Sequence, residues 1–136
     1  MNFEEKVRFL KQYNYCYESL KSLFEERERW FTIATKVNSV SDGMPHSHSV
    51  SSKVENSSIK ILELSEMINL QVERMTALRD EIETAIEALE DLDQRSVLKF
   101  MYINDFPAEK IAEIMSMSER NVYFIRKRAI ENLCVR

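Results

Sequence analysis

The sequence predicts an all-α protein: a long antiparallel helical hairpin, coiled-coil-like, followed by a small helix-turn-helix domain. The 136 residues hold one Gly and two Pro, with 44% hydrophobic and 31% charged residues, a composition that suits a soluble helical chain and not a disordered or β-rich one. Two long stretches repeat apolar residues at helical spacing. Beyond Leu92 the same pattern breaks into short pieces separated by turn residues.

The first element runs from about Phe3 to Val37. Positions 3, 10, 13, 17, 20, 24, 31 and 34 form a stripe interrupted only by Lys6 and Arg27. This spacing predicts one amphipathic helix of roughly 50 Å at about 1.5 Å per residue. Tyr13, Tyr15, Tyr17, Trp30 and Phe31 lie along it and read better as helix–helix core than as a stacking surface. Residues 38–53, NSVSDGMPHSHSVSSK, hold the only Gly and a crowd of Ser, and read as a mobile connection. His46 and His48 have no further ligand nearby and read as loop residues; no metal and no cofactor is expected.

Ser52 with Glu55 offers a capping box for a second long helix. Positions 61, 64, 68, 71, 75, 78, 82, 85, 89 and 92 then form a heptad seam whose one polar member is Gln71. Such a seam needs a partner helix. The first segment, tied on by a loop, supplies one within the chain, and the same seam also suits a homodimer. Gln71 fits either a register device or a tolerated polar contact.

Residues 1–92 therefore read as the hairpin and residues 93–136 as a second domain. Asp91 with Gln94 caps a helix running to about Tyr102, and Asn104-Asp105-Phe106-Pro107 is turn chemistry with a proline suited to a helix start. A short helix carries Ile111, Ala112, Ile114 and Met115; Ser116 and Met117 break it, and Ser118 caps the final helix. Short helices in this order, the last two joined by a tight turn, describe a helix-turn-helix unit.

The net charge is -4, yet residues 93–136 carry eight Lys/Arg against six Asp/Glu and the preceding part eleven against seventeen. No run of 18 apolar residues and no secretory start is present, so a cytoplasmic location is expected and no membrane partner. Cys16 and Cys134 lie at opposite ends without a CxxC, which predicts reduced packing thiols. There is no Gly-rich phosphate loop and no nucleophile–base arrangement, so a non-enzyme is expected.

At about 100° per residue, Val122, Ile125, Ala129 and Leu133 share an inward face of the last helix. Arg120, Phe124 and Lys127 point nearly opposite, with Tyr123 and Arg128 on the flanks. Donors for phosphates and base edges, set beside aromatic groups that can meet thymine methyls, are the mixture a DNA-reading helix uses. Phe124 has two readings: a base-reading residue, or core lodged against the long helices.

The stretch LEDLDQRSVLKFMYINDFPAEKIAEIMSMSERNVYFIRKRAIENL, 89–133, resembles region 4 of bacterial sigma factors and the related helix-turn-helix regulators. The matching positions are Arg95, Val97, Leu98, Ile111, Ala112, Met115, Ser118, Val122, Arg128, Ala129 and Leu133. Two departures from that motif matter. Ser116 stands where a turn glycine is usual, so a left-handed backbone there carries strain, and Pro107 replaces the Ser or Thr cap of the first motif helix. The order of elements along the chain also resembles phage-encoded regulators of the RinA and ArpU kind that switch on late genes.

The resemblance implies a DNA-binding transcription regulator, phage or prophage encoded, acting in the cytoplasm of a bacterial cell or phage-infected host. Its partners would be double-stranded DNA and RNA polymerase. The residues carried over to DNA binding are Ser118, Glu119, Arg120, Asn121, Tyr123, Phe124, Lys127 and Arg128. Ser118 would offer the amino end of its helix to a phosphate; Glu119 either accepts from a cytosine amino group or simply favours its own helix dipole. Two rivals stand beside this expectation: a phage small terminase subunit forming a ring on a packaging site, and a protein-interaction module that docks RNA polymerase without binding DNA.

Overall fold

The computed structural model describes residues 1–40 and 48–135, and the side chains of 1–36 and 55–135. The described residues form five α-helices and no strand: α1 (Phe3–Val40), α2 (His48–Glu87), α3 (Leu92–Leu98), α4 (Ala108–Met115) and α5 (Glu119–Asn132), with a π-helical turn at Lys99–Ile103 after α3. The all-α class stands, and α1 packs on α2 as a helical hairpin within the chain. Two compact units result, one of Met1–Tyr17 with Met75–Arg136, the other of Glu18–Arg74.

The connection expected at 38–53 is shorter in the structure, because α1 continues to Val40 and α2 begins at His48. Residues 41–47, His46 among them, lie outside the described residues, as does the side chain of His48. Ser52 falls inside α2 and does not cap it. Serine costs only about half a kcal/mol relative to alanine inside a helix, and adding a turn to an existing helix is far easier than nucleating one.

In the first unit, α1 opens with a reciprocal cap between Asn2 and Glu5. Asn2 Oδ1 accepts from the Glu5 amide at 2.8 Å, and Glu5 Oε2 accepts from the Asn2 amide at 3.2 Å. Phe9, Leu10 and Tyr13 then bury against Ile82, Ala85, Ile86 and Leu89 of the α2 end, in one cluster with Leu98, Tyr102, Ile103, Ala129, Ile130 and Leu133. Lys6 Nζ donates to the Glu131 carbonyl at 3.0 Å, placing a cation at the carboxyl end of α5, where the helix dipole favours it. Asp91 caps α3 as expected, its Oδ1 accepting from the Gln94 amide at 3.0 Å.

Leu92, the last position of the predicted seam, is 71% exposed. Helix α2 stops at Glu87 and α3 starts at Leu92, so the intervening turn breaks the register that would have turned Leu92 inward. Cys16 is buried, but Cys134 is exposed and is not a packing thiol; neither forms a disulfide among the described residues. It lies just past the end of α5, where the chain no longer follows the helical face.

In the second unit, Leu20, Ser57, Leu64 and Ile68 are buried, with Leu23, Arg27, Trp30, Ile61 and Gln71 half-buried. The α2 seam follows the predicted positions here. The α1 seam does so only in part: Leu10, Tyr13 and Leu20 are buried and Ala34 half-buried as expected, but along this helix the seam runs through 9, 13, 16, 20, 23, 27, 30 and 34, while Tyr17, Phe24 and Phe31 stay exposed. These steps alternate four and three, the seven-residue repeat of two helices in contact. The large rings at 17, 24 and 31 drew the predicted stripe one row to the side. For the same reason Tyr15 and Tyr17 are exposed, and of the aromatic set only Tyr13 is buried.

Arg27, an interruption in the predicted stripe, occupies a seam position. Its stem packs inward, Nη1 donates to Ser65 Oγ on α2 at 3.3 Å, and the guanidinium carbon lies 5.1 Å from the centroid of the Phe24 ring. Phe24 thus covers a charged group and not an apolar one, which accounts for a phenylalanine beside the seam.

Candidate nucleic-acid interface

Helix α5 rests on a second apolar cluster formed by Val97, Ala108, Ile111, Ala112 and Val122, with Phe100, Phe106, Met115, Met117 and Ile125 packed on its edge. α4 begins after Pro107, whose carbonyl accepts from the Ile111 amide at 3.1 Å and which supplies no side-chain cap. It ends at Ser116 in the left-handed conformation, φ 55° and ψ 49°. The Met117 amide closes the turn on the Ala112 carbonyl at 3.0 Å. The turn glycine is thus absent while its backbone shape is kept, at a cost of about 1 kcal/mol for a non-glycine residue.

Ser118 then starts α5, its Oγ accepting from the Asn121 amide at 3.1 Å. The Asn121 side chain donates back to Met117 Sδ at 3.6 Å, so Asn121 is engaged in the turn as well as exposed. Val122 and Ala129 are buried as expected, and so is Leu133 just beyond the helix. Ile125 is only half-buried, and Ile130, absent from the expected face, is fully buried in the other cluster. Two clusters hold α5 from two sides, so its covered arc is wider than a single stripe on a helical wheel implies.

The opposite arc is open. Glu119, Arg120, Asn121, Lys127 and Arg128 are exposed, and Tyr123 and Phe124 are 55% and 57% exposed. Phe124 is therefore not core. The Arg128 guanidinium carbon lies 5.3 Å from its ring centroid, one turn along the helix. Arg126 behaves differently: it folds back, with Nε donating to the Tyr102 hydroxyl at 2.8 Å, and is half-buried. Among the described residues no ion pair involves α5, so the cations of the open arc are not neutralised by a carboxylate at contact distance. The arc presents exposed positive charge, and the capped helix start adds backbone amide donors at one end.

Lys110 on α4 is a further exposed cation of this domain, its Nζ 3.8 Å from the Phe106 ring centroid. A reading of α4 by its apolar positions alone does not find it. An open groove of about 630 Å³ is lined by residues including Phe9, Asp80, Thr84, Ala88 and Cys134, and by none of α5. Among the described residues no group of three or more His, Cys, Asp or Glu is placed to hold a metal ion, and no helix is long and apolar enough to cross a membrane.

No curated protein and no solved structure matches the chain. The model of a family described as a protein of unknown function, DUF1492, matches residues 47–134, a span that includes α3, α4, α5 and the open arc, and the chain belongs to that family.

Proposed function

We propose that the protein is a DNA-binding transcription regulator, phage or prophage encoded, that controls late genes through α4 and α5. The observation that carries this reading is the open arc of α5, where Arg120, Lys127 and Arg128 are exposed, with no ion pair among the described residues, beside two exposed aromatic rings. The likeness of 89–133 to sigma region 4 supports the same assignment, because the left-handed turn at Ser116 and the cap at Ser118 are the local geometry that motif requires.

In this reading α5 enters the major groove. Arg120 and Lys127 donate to phosphates or guanine edges, the α5 amino end receives a phosphate, and Tyr123 and Phe124 meet the groove floor and wall. Arg126 takes no part, because Tyr102 holds it. Phosphate contacts supply most of the affinity and make it fall steeply with salt.

The test is a gel shift with duplexes drawn from the protein's own genomic neighbourhood, comparing the intact chain with Arg120→Ala and Lys127→Ala. Each variant is expected to fold and to bind more weakly, by about 1–3 kcal/mol where the arginine contacts a base. Absence of binding by the intact chain at low salt would refute the proposal. A ring of eight or more copies, measured by mass in solution, would point instead to a terminase-like packaging role.

A further inference from the structure

We infer that Phe124 reads a thymine, its ring steadied by Arg128 and laid against the C5 methyl group in the major groove. This rests on the DNA-binding reading above and narrows it to one base contact. Phe124 is 57% exposed while Val122, Ala129 and Ile130 of the same helix are fully buried, so the fold itself does not use the ring. Leaving a phenylalanine in water forgoes burial that Val122 and Ile130 of the same helix obtain.

The ring is also held. Arg128, four residues on, places its guanidinium carbon 5.3 Å from the ring centroid, which restrains the ring and leaves the guanidinium edges free to donate. A phenyl ring neither donates nor accepts a conventional hydrogen bond. On the major-groove edges of the four base pairs, the one apolar feature is the thymine methyl, so an exposed ring selects thymine by contact and not by hydrogen bonding. Phe124 also lies in the amino-terminal half of α5, the half that meets base edges when such a helix docks. Tyr123 is equally exposed but ends in a hydroxyl, which suits a phosphate better than a methyl group.

The experiment uses the full chain. Duplexes that it binds are selected from a randomised pool, and each thymine of the selected site is replaced in turn by deoxyuridine, which removes the methyl and keeps the base pair. One replacement is expected to weaken binding about three- to tenfold. Phe124→Ala should lose a similar factor on the thymine duplex and no longer distinguish it from the uracil duplex, and Phe124→Leu should keep part of the difference. Circular dichroism of both variants should match the parent, because the side chain is exposed.

Sequence-selective binding with no uracil effect, or the same uracil effect in Phe124→Ala as in the parent, would overturn this inference and leave the DNA-binding reading standing. No binding to any duplex at low salt would overturn both.

Discussion

The unit of Met1–Tyr17 with Met75–Arg136 closes two apolar clusters, whereas among the described residues of Glu18–Arg74 only Leu20, Ser57, Leu64 and Ile68 are buried. In the first unit the ends of the long helices meet α3, the π-helical turn and α5, so apolar side chains find neighbours on several sides. In the second, each long helix has one partner within the chain, and Phe24, Phe31, Ile59, Leu62, Met67 and Leu70 remain exposed. A two-helix seam covers a narrow stripe, and every apolar residue off that stripe faces water. The better-packed unit is the one that carries α5, which is held from two sides by the two clusters.

Unfolding measurements test this contrast. Ile130→Ala, at a fully buried position of the first unit, is expected to cost about 2–5 kcal/mol in urea denaturation, and Leu62→Ala in the second to stay within about 0.5 kcal/mol. Equal costs at the two sites would remove the contrast. Tyr102→Phe deletes the hydroxyl that accepts from Arg126 and should destabilise by about 1–2 kcal/mol, seen as a lower denaturation midpoint with an unchanged slope.

Ser118→Ala removes the α5 cap and should cost about 1 kcal/mol in the same assay. Ser116→Gly works in the other direction. It relieves a left-handed serine and should raise stability by about 0.5–1 kcal/mol, and a loss instead would mean that the serine side chain matters to the turn.

The α2 seam was legible in the sequence because two residues in every seven keep the 3-4 spacing with one polar member, and burial follows it from Leu64 to Leu89. The α1 seam is legible only at positions such as 13, 20 and 34, because the large rings at 17, 24 and 31 lie on the neighbouring row. Arg27 shows why: a charged residue sits in the seam when its stem packs and its head finds Ser65 and Phe24, a pairing between distant positions that local periodicity does not reveal.

On α5 the outward positions of Arg120, Phe124 and Lys127 were readable from angle, the caps at Asp91 and Ser118 from residue type, and the left-handed turn at Ser116 from the resemblance to a motif that carries glycine there. Ile130 was not, because its pocket is built by Leu98, Tyr102 and residues of the long helices far away in sequence. The withdrawal of Arg126 onto Tyr102 was hidden for the same reason: the partners are separated by a helix and two turns.

The most direct test of the central claim is the salt dependence of DNA binding, followed by fluorescence anisotropy, for the intact chain, Lys127→Ala on α5 and Lys60→Ala in the second unit. Both lysines are exposed, so loss of positive charge is matched between the two variants. If the open arc of α5 is the DNA surface, the log–log slope of affinity against salt falls in magnitude by about one for Lys127→Ala and is unchanged for Lys60→Ala. Equal slopes for all three proteins, or no binding at low salt, would contradict it.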